Sequence, residues 1–165
     1  MMPGFEELAD AMAAYFGDDS RRIAHARKVT GYAEKLLAEE PGDPNIVVPA
    51  ALLHDIGIHA AEQKHGSSAG KFQEIEGPPV ARAILARLAV PPARIDEICE
   101  IIAHHHSPGV VNTLNFRILY DADWLVNLGD ETDTGDKARL GGVIDKLFLT
   151  PTGKKLARRV YLPAD

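Results

Sequence analysis

The sequence predicts an all-α protein, and three observations carry that expectation. Apolar residues recur three and four positions apart through most of the chain, Pro and Gly punctuate the stretches between, and strand signals are weak, with Val110-Val111 too short to count. There is no repeat, low-complexity tract or second composition, so the 165 residues read as one domain.

The elements follow in order. Phe5, Leu8, Met12, Tyr15 and Phe16 lie on one side of a first helix that Gly17 stops. Ser20 suits the cap of a second, in which Ile23, Val29, Leu36 and Leu37 mark the apolar side and His25 sits in the first half. Pro41-Gly42-Asp43-Pro44 breaks the chain, and a third helix is expected from about Asn45 to Asp55, ending near Gly57. Residues 59–73 are polar and read as a loop. Pro78-Pro79 suits the start of a helix whose inward face is Val80, Ile84, Leu85 and Leu88. Pro91-Pro92 starts the next, with Ile95, Ile98, Ile101 and Ile102 inside and an end near His104–His106. A helix from about Leu114 to Leu128 carries Asp121 and Asp123, and the apolar positions from Leu140 to Tyr161 predict two more.

Composition narrows the function. Apolar residues make up 45% of the chain, which suits a packed core. The net charge of −6, with both signs mixed, argues against polymeric nucleic acid as a partner, yet leaves room for a nucleotide held by a few cations and a metal. Cys99 is alone, so no intrachain disulfide forms and a reducing cytoplasm is the expected location. The start, Met1-Met2-Pro3-Gly4, lacks a signal-peptide pattern, and no apolar run is long enough to span a membrane. A homodimer is no more than the general expectation for a soluble protein.

The chemistry centres on His54-Asp55, which ends the apolar run from Val47 to Leu53. A buried carboxylate needs a compensating cation or donor, and an imidazole beside a carboxylate can bind one divalent metal. His25 lies 29 residues before His54, and Asp123 lies 68 after Asp55. Neither gap is a local motif, but the ordered set resembles the H…HD…D signature of the HD-domain metal-dependent phosphohydrolases. Ala51-Leu52-Leu53-His54-Asp55-Ile56-Gly57 is similar to the family's ALLHDIG segment, and Ala122-Asp123-Trp124-Leu125-Val126-Asn127 to its ADxLxN helix. The similarity covers roughly residues 20–130.

The resemblance implies an HD-type helical bundle, with C-terminal helices at about 135–162 packed on it, and a metal held by His25, His54, Asp55 and Asp123. Asp121 competes for the last role. It sits about 200° from Asp123 on a helix, so the two should not share a face, and Asp121 is left to a substrate or a neighbouring side chain. Superfamily members with two metals add a ligand at the start of the helix after the HD loop and an IxxHH segment. Here those positions are Glu76 and Ile101-Ile102-Ala103-His104-His105-His106, so Glu76, His104 and His105 are candidates for a second metal or for proton transfer. Fe, Mn, Mg, Ni and Zn are not distinguishable from these ligand types.

The implied activity is hydrolysis of a small phosphoester, of the nucleotide class or a related phosphorylated metabolite, by a metal-activated water. Lys64, His65, Arg82 and Asp121 are candidate substrate-binding residues, with Lys71, Arg21 and Arg22 as further cations. The other reading is a non-catalytic metal- or nucleotide-binding regulatory module on the same bundle. Single residues have plainer explanations: Cys99 among isoleucines is a packed small hydrophobe, Trp124 a core residue, and His59 a loop residue.

Overall fold

A computed structural model of the chain describes residues 4–164; the expectation for the N-terminal residues Met1, Met2 and Pro3 lies outside them. Among the described residues there are nine helices and no strand. They are α1 (Glu6–Phe16), α2 (Ser20–Leu37), α3 (Pro44–Leu53), α4 (Ile58–His65), α5 (Gly70–Arg87), α6 (Pro92–His104), α7 (Leu114–Glu131), α8 (Lys137–Leu147) and α9 (Pro151–Tyr161). None of these helices is long and apolar enough to cross a membrane.

The organising element is α3. Asp43 caps it by accepting from Asn45 N, Pro44 opens it, and every residue from Ile46 to Leu53 is buried. A helix apolar on all sides belongs in the interior. Here α1, α2, α6 and α7 enclose it. Its C-terminal end therefore points His54 and Asp55 into the middle of the assembly, between α2 and α7. Gly57 then allows a close crossing. A Cβ at that position would overlap Gly77 N and stand 2.7 Å from Gly77 Cα, so the turn after Asp55 lies backbone to backbone against α5.

The structure corrects three local expectations. Asp19, not Ser20, caps α2, its Oδ1 accepting from Arg22 N. The stretch at 59–73 is not a loop: α4 covers its first half and α5 has begun by Gly70, so only the short link 66–69, opened by Gly66, remains. His59 accordingly lies on α4, bonded to Asp19 Oδ2 at 2.8 Å. Pro78 and Pro79 lie inside α5 and do not start it. Each proline removes one backbone donor, but packing against α4 and α6 on either side holds the helix through them. Cys99 is buried, its thiol donating to Pro78 O at 3.6 Å, in keeping with a packing role.

At the far end, α9 packs on α7 and α8 packs on α9. Asp121 makes this junction. Its carboxylate accepts from Leu149 N at 2.8 Å, Thr150 N at 2.9 Å and Thr150 Oγ1 at 2.7 Å, and Thr150 in turn caps α9 through Gly153 N.

Candidate metal centre

Three helices deliver four donors to one point. His25 projects from the first half of α2, His54 and Asp55 from the end of α3, and Asp123 from the middle of α7. His25 Nε2 lies 3.2 Å from both His54 Nε2 and Asp123 Oδ1, and 3.3 Å from Asp55 Oδ2. His54 Nε2 lies 3.3 Å from each carboxylate oxygen. Two atoms bound about 2.1 Å from one ion, at angles between octahedral and tetrahedral, stand roughly 3.0–3.4 Å apart. The observed separations fall in that interval.

Hydrogen bonding does not account for this packing of donors. His54 Nδ1 donates to Ala51 O at 2.7 Å, so the neutral ring presents a bare Nε2 to the cluster. His25 Nε2 has at most one proton for three neighbours. Burial opposes charge on His54, yet Asp55 and Asp123 outweigh it and hold the imidazole well above its ordinary value. Burial also opposes charge on the two carboxyls, and the histidines beside them hold both well below the usual carboxylate range. The pair of carboxylates thus demands positive charge at this point, from a proton or from a metal ion. Asn127 Nδ2 donates to Asp123 Oδ1 at 2.9 Å and fixes that carboxylate from one turn away.

Asp55 is shared with a second group, Asp55, His105 and His106, whose ligand atoms also lie close enough for one ion. His105 repeats the pattern of His54: Nδ1 donates to Ile102 O at 2.7 Å, while the buried Nε2 has no hydrogen-bond partner and faces Asp55 Oδ1 at 3.5 Å. His106 Nε2 is 3.2 Å from Gln73 Oε1; burial, with His105 beside it, lowers this imidazole to about 4 and keeps it neutral at pH 7.

The remaining sequence candidates lie elsewhere. His104 is half-buried and joins neither group. Glu76 is bonded to Lys64 Nζ at 3.0 Å and His65 Nε2 at 3.1 Å, so all three are engaged with one another. Lys64 and then His65 pull the Glu76 carboxyl below its ordinary value. Arg82 pairs with Asp96 at 2.8 Å on the surface. Asp121 points away from Asp123 into the α8–α9 junction, as their helical angle requires, so it anchors structure and does not face a substrate. A cavity of about 470 Å³ opens on the centre and is lined by His25, Asp55 and Asp123. The cations at this cavity are Arg21, Arg22 and Lys28, not Lys64 or Arg82. The sequence ranks His106 below His104 and His105, whereas the structure groups His106 with Asp55 and His105 and leaves His104 out; Lys28 carries no sequence signal beyond lying three residues after His25 on the same helix face.

Comparison with known proteins identifies the family and the fold. Residues 22–128 match the HD domain family. A crystal structure of a predicted HD superfamily hydrolase from an uncultured Thermotogales bacterium superposes with a TM-score of 0.71 at 27% identity, covering 97% of this chain and 86% of the other. No curated protein matches the sequence. The match to the family runs from the helix bearing His25 to the helix bearing Asp123, and the chain belongs to the HD-domain family.

Proposed function

We propose that this protein is a divalent-metal-dependent phosphohydrolase acting on a small phosphoester of the nucleotide class. The observation that carries the reading is that His25 and His54 Nε2 lie 3.2 Å apart and each stands 3.2–3.3 Å from a carboxylate oxygen of Asp55 and of Asp123, opening onto a cavity edged by Arg21, Arg22 and Lys28. A divalent cation held by those four side chains supplies Lewis acidity, making a water acidic enough to act near neutral pH and offsetting phosphoryl charge. Two imidazoles and two carboxylates suit Mn, Fe, Ni or Zn, with Mg accepted mainly through the oxygens.

The chain's own residues do the rest. The bonds from His54 and His105 to backbone carbonyls aim their Nε2 atoms inward and hold the rings without a search for orientation. Arg21, Arg22 and Lys28 bring positive charge to the mouth, where a phosphate dianion enters. The bare Nε2 of His105, backed against Asp55, can take a proton or add a ligand for a second ion; either role gives the histidine segment a task that one metal alone would not need.

The test is metal analysis of the purified protein, then turnover of p-nitrophenyl phosphate, bis(p-nitrophenyl) phosphate and a panel of nucleotides with each divalent metal supplied. Asp55→Asn should retain the fold and lose at least about a hundredfold in turnover. Undiminished activity in that variant would refute the proposal.

A further inference from the structure

One face of α2 runs well past the metal pocket. Arg21, His25, Lys28, Tyr32 and Lys35 follow at spacings of three and four, a single stripe on a helix. Two more cavities continue the first along this stripe. One of about 390 Å³ shares Lys28 and Val126 with the metal pocket and adds Gly31, Tyr32, Lys35 and Tyr161. The next, about 230 Å³, shares Lys35 and adds Lys155 and Arg159 of α9. At about 1.5 Å per residue, Lys35 stands ~15 Å from His25 along the helix axis.

Among the described residues, none of Arg21, Arg22, Lys28, Lys35, Lys155 and Arg159 has a carboxylate partner in an ion pair. A chain of net charge −6 therefore gathers six cations without carboxylate partners along one trough. Asp55, Asp123, Asp130 and Glu131 line the metal cavity and Glu39 the far one, and among the described residues no acid lines the middle cavity. Burial raises the Tyr161 hydroxyl there, and Asp130 lies close enough to add to the rise. The trough also has aromatic walls. Lys35 Nζ stands 5.3 Å from the centre of the Tyr32 ring, and the Tyr161 hydroxyl donates to Leu125 O at 2.6 Å, which fixes the second ring. At Gly31 a Cβ would meet nothing within 4 Å, so the trough is open there.

We propose that this trough binds a short single-stranded oligonucleotide, with a terminal phosphate at the metal donors and the following units along Lys28, Tyr32 and Lys35 toward Lys155 and Arg159. Only the placing of the terminal phosphate rests on the phosphohydrolase reading. A stacked strand advances about 3.4 Å per nucleotide, so the distance from His25 to Lys35 spans several units and exceeds what one nucleotide needs. Lysines without carboxylate partners along a groove with aromatic rings suit a sequence-tolerant single-strand site, in which a base stacking on Tyr32 displaces Lys35 from that ring toward phosphate. The overall negative charge disfavours long polymers and leaves a local trough suited to a short strand.

The test is fluorescence anisotropy with a terminally phosphorylated, fluorescein-labelled deoxyadenosine pentamer, alongside turnover of p-nitrophenyl phosphate with Mn supplied. Lys35→Glu and Gly31→Glu, both at exposed positions, should each weaken pentamer binding by about tenfold or more and flatten its salt dependence. Both should leave monoester turnover as it was, and Tyr32→Ala should also weaken the pentamer. A pentamer that binds no tighter than AMP, or equally well to Lys35→Glu, overturns the proposal. So does inorganic polyphosphate competing as well as the pentamer with Tyr32→Ala silent, which marks a plain polyanion site. Lys35-dependent pentamer binding without any phosphoester turnover supports the trough and removes the hydrolase reading; turnover without pentamer binding does the reverse.

Discussion

The close crossing of Gly57 and Gly77 ties the metal centre to the helix packing, and Gly57→Ala tests that tie. Gly57 has φ −85°, which alanine adopts freely, so any cost is steric and not conformational. The added Cβ would overlap Gly77 N and stand 2.7 Å from Gly77 Cα and 3.0 Å from Gln73 O. All three are backbone atoms in α5 and cannot rotate away. Carbon atoms in contact sit about 3.5–4.0 Å apart, so the turn that follows His54 and Asp55 must retreat by about 1 Å. Overpacking of this kind costs about 1–3 kcal/mol. At about 2–4 °C per kcal/mol for a chain of this size, the melting temperature of metal-free protein should fall by roughly 2–12 °C. A comparable displacement of Asp55 should lower turnover by on the order of a hundredfold. Calorimetry, chelator competition for Mn and phosphoester turnover measure the three effects. Gly31→Ala is the control, since its Cβ meets nothing and a helix interior gains about 1 kcal/mol from the change. If Gly57→Ala melts at or above the wild-type temperature with unchanged metal affinity, the reasoning fails.

Three further outcomes are expected. Removing metal with EDTA should lower the melting temperature, and Mn at about a thousandfold its Kd should restore about 4 kcal/mol, or roughly 8–16 °C, with the gain lost in Asp123→Ala; equal melts with and without metal would contradict a site in the native fold. Ala89 has φ 58° at the end of α5, where Val90 N bonds Leu85 O and Ala89 N bonds Ala86 O, so Ala89→Gly should relieve the left-handed backbone and stabilise by about 1 kcal/mol in urea unfolding. Burial raises Asp121 to about 6, against its three hydrogen bonds, so the folded state holds this proton more tightly than the unfolded chain. Its contribution is full below about pH 4 and is lost as pH rises through 6, up to about 3 kcal/mol; wild type measured against Asp121→Asn should show that decline, and parallel pH profiles would contradict it.

The fold was legible where burial follows the helical period. α1, α2, α6 and α7 each place one apolar face inward, and α3 declares itself by being apolar throughout between two breaks. α4 was hidden because only Ile58 and Ala61 on it are buried, too few to set a period. The first half of α5 was hidden because what it buries is Gln73, Glu76 and Gly77, chosen by hydrogen bonds and a close crossing and not by hydrophobicity. The same distinction separates the site residues. His25, His54, Asp55 and Asp123 were visible because they recur in order along the chain. The setting of Glu76 among Lys64 and His65, the role of Asp121 at the α8–α9 junction, and the lysines of the trough depend on which way each side chain faces across helices distant in sequence.

The interior position of α3 has a consequence for synthesis. α3 is complete at Leu53, but α7, one of the helices that cover it, begins only at Leu114, about sixty residues later. At roughly 5–20 residues per second, the growing chain carries a greasy rod without a polar side for about 3–12 s before its last wall exists. The metal-binding end of that rod gains Asp123 only after a similar delay, so a nascent chain has no complete site to load until α7 has been made.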